Sequence, residues 1–286
     1  MTIPKGGIGF FDSGIGGLTV LSECQKVCKN KVFYYYGDHV HAPYGNRTDR
    51  QIYRYTLSAM RKFRRLKVKA VVIACNTVTA VCVERLRNKF SFPIIGAEPA
   101  VYPAAKQGGE VFVLTTSATN KSKRFQNLCR DIARRCPQST VRMFSCGDLA
   151  GAIERNMGKS VDYTEYLPKG NPDAVVLGCT HYIYIKEEVA NFYGCKVYDG
   201  NEGIARRLSD VLRKEEILER KKEKNRVSRP RLTTKRKNVK NLNKCSLKTG
   251  KKTAKNGNNQ TLFFLGKSRE RMHFIHKQMF VLSVRG

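Results

Sequence analysis

Two cysteines stand where a thiol can do acid–base work. Cys75 follows the apolar run Ala70-Val71-Val72-Ile73-Ala74, and Cys179 follows Ala174-Val175-Val176-Leu177-Gly178. In doubly wound sheets the carboxyl ends of parallel strands face the ligand crevice. A residue that opens the next helix also meets free N–H groups and the positive end of a dipole. That placement is expected to draw a thiol from about 8.5 toward neutrality. Two such thiols, one per half of the chain, suit a disulfide switch, a metal pair or proton exchange at a stereocentre. In the last case one thiolate removes a proton and the opposite thiol returns one on the other face. Asp12-Ser13 and Thr116 to Thr119 lie at two more strand ends. Ser13, Asn76, Thr77 and Thr180 offer hydrogen bonds to a small zwitterionic or carboxylate ligand.

The elements that must position these residues follow from apolar spacing. Lys5 to Phe11 predicts a strand that runs into the small-residue turn Asp12 to Gly17, with a helix from about Leu18. Val32 to Tyr36 predicts a second strand, 49–66 a helix with Ile52, Tyr55, Met60 and Phe63 on one face, and Ala70 to Ala74 a third strand. A helix from Cys75 to about Asn88 follows. The pattern then restarts: strand Val111 to Leu114, helix Lys121 to Arg135, strand Ala174 to Gly178. Alternation of this kind implies α/β architecture with parallel sheets. Asp12 precedes Cys75 by the same offset as Thr116 precedes Cys179, and the two strand ends read alike, which points to two homologous halves. The second half is expected to close near Arg206. A helix is expected to end near Leu218, with a strand over Thr261 to Leu265. Met272 to Phe280 reads as a short helix carrying His273 and His276 on its surface.

The 286 residues and 41% hydrophobic content support one large domain or two smaller ones. Ten cysteines without a CxxC pair read as free thiols in a reducing cytoplasm. Cys82, Cys129, Cys136, Cys146, Cys195 and Cys245 read as structural. Cys24 and Cys28 share a helix face, but no paired ligands suggest zinc. The glycine-rich turn lacks the GxGxxG order and any Walker lysine. No apolar run reaches a membrane span, and Met1 to Gly9 lacks signal-peptide features.

The net charge of +31 divides into +12 over residues 1–205 and +19 over 206–286. Arg220 to Lys255 holds 16 basic residues against one acid, Glu223. The segment 220–260 therefore reads as disordered, a solvated tail or a non-specific binder of polyanions. No nucleic-acid recognition module accompanies it.

Taken together, Phe-Asp-Ser-Gly-Ile-Gly-Gly at 11–17, Tyr-Gly-Asp at 36–38, Pro-Tyr-Gly at 43–45, Ala-Cys-Asn-Thr at 74–77, Glu-Pro at 98–99, Ala-Thr at 118–119 and Leu-Gly-Cys-Thr-His-Tyr at 177–182 resemble the glutamate racemases. These belong to the cofactor-independent aspartate/glutamate racemase superfamily, and the resemblance covers about residues 6–213. It implies two similar doubly wound domains with the active site in the cleft between them, and neither cofactor nor metal. Residues 1–97 would form the first, with 206–219 and 261–286 packing back on it, and 98–205 the second. By the same resemblance Cys75 would take the α-proton from D-glutamate and Cys179 from L-glutamate. Asp12 would assist Cys75, while His181 and Glu154 would lie beside Cys179. Asp12, Ser13, Tyr44, Gly45, Asn76, Thr77, Thr119, Thr180 and His181 would hold the substrate. The product would feed peptidoglycan synthesis in a bacterial cytoplasm, and a homodimer is compatible. His181 favours glutamate, since aspartate racemases of the superfamily usually carry Glu after Cys-Thr. Two rivals are a racemase or isomerase for aspartate or a related amino acid, and a basic nucleic-acid-associated protein with a weak racemase body.

Overall fold

The computed structural model describes residues 6–227 and the backbone of 253–256, 259–265, 271–275 and 279–283, with side chains described through Leu218. The first half runs β1 (Ile8–Asp12), α1 (Gly17–Val27), β2 (Val32–Gly37), α2 (Asp49–Arg65), β3 (Ala70–Ile73), α3 (Asn76–Arg87) and β4 (Ile94–Gly96). The second runs α4 (Val101–Ala105), β5 (Gly109–Thr115), α5 (Ser117–Lys121), α6 (Lys123–Arg135), β6 (Ser139–Ser145), α7 (Leu149–Arg155), β7 (Ala174–Leu177), α8 (Lys186–Tyr193) and β8 (Lys196–Tyr198). Then follow α9 (Asn201–Val227), β9 (Thr253–Asn256), β10 (Asn259–Leu265), β11 (Arg271–Ile275) and β12 (Met279–Ser283).

Period-two alternation explains why both sheets are covered on both faces. In β1, Phe11 joins the cluster under α2 and α3, while Ile8 and Phe10 join the cluster under α1 and α9. In β5, Phe112 and Leu114 face α7 and α8, while Val111 and Val113 face α4 and α6. The helices dock by their apolar stripes. Ile52, Ala59, Met60 and Phe63 of α2 are buried, and its start is fixed by a capping box between Thr48 and Gln51.

The sheet orders are β4-β3-β1-β2-β10-β9 and β6-β5-β7-β8. Each half thus repeats one order of four parallel strands, its first strand flanked by its second and third, which is the expected doubly wound pair. The register refines the repeat. Phe11 pairs with Ile73, two residues before Cys75, and Leu114 pairs with Leu177, two before Cys179. The residue equivalent to Asp12 is therefore Thr115 and not Thr116.

Three expectations near the C-terminus are corrected. Helix α9 continues to Val227, because the stretch past Leu218 is mostly Glu, Lys and Arg, strong helix formers, and holds neither Gly nor Pro. The distal end of the segment read as disordered forms β9, antiparallel to β10, which itself lies parallel to β2. Residues 228–252, with Cys245, lie outside the described residues. In place of a helix over Met272 to Phe280, β11 and β12 pair as antiparallel strands. Short apolar runs do not separate strand from helix by periodicity, and backbone pairing decided here. His273 lies in β11, and His276 is outside the described residues. Among the described residues no helix is long and apolar enough to cross a membrane, and no cluster of His, Cys, Asp and Glu could hold a metal ion.

Candidate active site

The turn between β1 and α1 is the floor of the site, and its glycines are set by what touches them. A Cβ at Gly14 would stand 2.7 Å from the Glu154 carboxylate. A Cβ at Gly16 would stand 2.8 Å from Thr180 Cβ and 2.9 Å from His181 N. At these two glycines the turn therefore approaches the second half with backbone alone. Two phenols pin the turn: Tyr35 donates to Gly14 O at 2.8 Å and Tyr184 to Ile15 O at 3.1 Å.

Cys75 caps α3 from the end of β3, and Cys179 caps the 3-10 turn Thr180–Ile185 beyond β7. Both are buried, at 5% and 7% exposure, and the two large surface cavities (about 790 and 1460 Å³) are lined by neither. The cleft is closed around the thiols. Ser13 Oγ lies 3.5 Å from Cys75 Sγ. The expected drop in thiol pKa is reversed at Cys75. Burial pushes it up to about 12, and the neighbouring Asp12 adds to this, outweighing the Ser13 hydroxyl and the Val78 N–H. Asp12 is itself raised by burial, against the pull of His181 and the N–H groups of Gly14 and Gly17. Its oxygens accept from Gly14 N at 3.1 Å and from Thr180 Oγ1 at 3.4 Å.

The Cys179 side carries a longer relay. His181 Nδ1 lies 3.9 Å from Cys179 Sγ, and His181 Nε2 lies 2.8 Å from Glu154 Oε2. The other oxygen, Glu154 Oε1, lies 3.0 Å from His39 Nδ1. Burial opposes the Glu154 charge, but the hydrogen bonds from His181 and His39 hold the carboxyl down at about 2. His181 is fully buried, yet Cys179 and Glu154 raise it well above an ordinary imidazole. His39 was missed in the sequence. Its position in the 3-10 turn just past the carboxyl end of β2 is the signal that marks it.

The remaining residues gather at the same seam. Thr77 Oγ1 lies 2.9 Å from Thr116 Oγ1, and Thr116 Oγ1 lies 3.0 Å from Thr119 Oγ1, so hydroxyls of both halves share one cluster. Gly45 packs on Thr116, where a Cβ would stand 3.0 Å from Thr116 Cβ. Tyr44 is buried, and its hydroxyl donates to Asp38 at 2.6 Å, which leaves the oxygen as an acceptor only. Asn76 is buried, and its Oδ1 has no hydrogen-bond partner among the described residues. All the residues expected at the site therefore meet between the two sheets.

A profile of the Asp/Glu/hydantoin racemases matches residues 16–208. The chain belongs to the Asp/Glu/hydantoin racemase family. Glutamate racemase of Clostridium novyi is 39% identical over 230 residues, covering 76% of this chain and 88% of that protein. Glutamate racemase of Clostridium acetobutylicum is 34% identical over 238 residues, covering 79% and 92%. Among solved structures, Escherichia coli glutamate racemase in complex with L-glutamate and the activator UDP-MurNAc-Ala matches with a TM-score of 0.65 at 30% identity, over 73% of this chain and 83% of that one. The Francisella tularensis glutamate racemase in complex with D-glutamate matches with a TM-score of 0.63 at 28% identity, over 75% and 83%. In this racemase-family chain the profile match runs from the turn after β1 into α9, and so takes in both cysteines.

Proposed function

We propose that this chain is a glutamate racemase working through two thiols without a cofactor, supplying D-glutamate for peptidoglycan in a bacterial cytoplasm. The observation that carries the reading is the convergence of Cys75 and Cys179 on one seam, each beside its own acid–base partner. With D-glutamate bound, the Cys75 thiolate takes the α-proton and becomes a thiol, and the Cys179 thiol protonates the carbanion from the other face. L-glutamate runs the same steps with the thiols exchanged. His181 Nδ1 faces Cys179 Sγ and exchanges its proton, while Glu154 keeps the imidazole oriented.

On the other side the buried Cys75 needs help to ionise. On this reading Asp12, its own carboxyl raised by burial, takes the proton that Cys75 gives up, and a substrate ammonium brought to the unpartnered Asn76 Oδ1 supplies the missing positive charge. Ser13, Thr77, Thr119, Thr180 and the walls formed by Tyr44 and Gly45 hold the remaining polar groups of the substrate. The first test is proton NMR of the reduced protein with L-glutamate in D₂O, alongside polarimetry. Loss of the α-proton signal with falling rotation is expected, and a folded protein that exchanges nothing overturns the reading. Cys75→Ser and Cys179→Ser should each cut racemisation by roughly 100-fold or more, because a neutral hydroxyl is a far poorer base than a thiolate. Near-wild-type turnover in either variant returns that cysteine to a structural role.

A further inference from the structure

We propose that His39 is a positioning residue for the Cys179 half-site, acting across the cleft through Glu154; this rests on the two-thiol reading above. His39 belongs to the first half, in the turn His39–His41 after β2, whereas Glu154 belongs to α7 of the second. The two are joined at 3.0 Å, and His181 takes the other carboxylate oxygen at 2.8 Å. A carboxylate offers acceptors only, so His39 Nδ1 carries the proton and donates. His39 Nε2 is buried, with no hydrogen-bond partner among the described residues, and it would lie 3.0 Å from a Cβ at Gly37. The polar work of the ring is therefore concentrated at Nδ1.

Fixing both oxygens of Glu154 fixes the line along which His181 Nε2–H is held. It thereby fixes His181 Nδ1 as the atom that exchanges a proton with Cys179 Sγ, 3.9 Å away. Without His39 the carboxylate keeps one strong partner and is free to rotate about it. The His39 contact also ties that alignment to the approach of the two halves, since donor and acceptor come from opposite sides of the seam. The groups facing Glu154 are His39, His181, Tyr35 and Tyr184, with Asp12 close enough to feel its charge.

The test compares full-length wild type with His39→Leu and His39→Asn. Asn places an amide N–H two bonds from Cβ, where Nδ1 stands, and Leu fills the space without a donor. Thermal melting first establishes that each variant is folded. His39→Leu is expected to lower kcat roughly 10-fold or more, the effect of losing a hydrogen bond to a charged group, with KM changed less than about 2-fold. The primary isotope effect should rise for α-deuterated L-glutamate, whose proton Cys179 takes, and not for α-deuterated D-glutamate. The acid limb of the kcat/KM profile should move to higher pH, because Glu154 loses a donor to its charged form. His39→Asn should recover to within about 3-fold of wild type. Isotope effects unchanged in His39→Leu, or His39→Asn as impaired as His39→Leu, overturn the proposal while leaving the two-thiol reading intact. A wild type without racemase activity, or a fully active Cys179→Ser, overturns that reading and the role of His39 with it.

Discussion

At the scale of single residues, the chemistry is governed by burial as much as by position in the chain. Cys75 caps a helix, which favours a thiolate, yet enclosure pushes its thiol up to about 12. Alkylation by iodoacetamide should therefore keep accelerating about tenfold per pH unit from pH 8 to 10, as the thiolate fraction grows. Peptide mass spectrometry reads this directly, and a plateau near pH 8.5 would show an ordinary thiol. The positions of Cys75, Cys179, Asp12 and Ser13 were legible in the sequence, because strand-end residues are bound to face the crevice. Two features were not. The reversal at Cys75 depends on how completely the halves close over it, and the His39–Glu154 contact joins a turn and a helix 115 residues apart in the chain, so no local pattern records it.

At the scale of elements, the parallel strands and the helices between them were readable from apolar spacing, and their ends fell close to the expected positions. What failed was composition used as a proxy for disorder, which missed the last turns of α9, and a short apolar run, which missed the hairpin of β11 and β12. Glycines separate the demands of the site from those of the fold. Gly16 has an ordinary helical φ of −55°, so alanine there meets no backbone strain but strikes Thr180 and the His181 backbone. Gly194 ends α8 at φ +62°, with nothing within 4 Å of an added Cβ. Gly16→Ala should therefore cost kcat/KM about 10-fold or more, through displacement of the second half-site. Gly194→Ala should leave kcat/KM unchanged and lower stability by about 1 kcal/mol, through the left-handed backbone alone. Equal effects of the two on activity would remove the close approach at Gly16 from the argument.

At the scale of the whole molecule, the seam between the halves is held by groups that titrate. Glu154 links His181 in its own half to His39 in the other, and its carboxyl is depressed from 4.5 to about 2. A depressed carboxyl contributes stability that is present above its ordinary value and is lost as pH falls through the depressed one. Glu154→Gln should thus be less stable than wild type by on the order of 3 kcal/mol at neutral pH, and the gap should close between about pH 5 and 2. Urea midpoints across that range measure it, and a gap independent of pH would assign the loss to packing.

The distribution of charge sets the last division between scales. The body carries the site, while the excess positive charge is concentrated beyond residue 205 and most densely in Arg220 to Lys255. Because β9 and β10 extend the first sheet from β2, a truncation after α9 would remove sheet strands along with the charge. The informative deletion is 229–251, which spares α9 and β9. If catalysis belongs to the two-sheet body, this variant should keep kcat/KM within about 3-fold, since no residue placed at the site is touched. Its retention on heparin should fall and its elution should shift to lower salt, because clustered Lys and Arg release counterions from a polyanion. A variant that elutes unchanged would show that the rest of the surface, and not this segment, governs polyanion binding. One that stays folded but loses turnover would show that the basic segment acts on the seam itself.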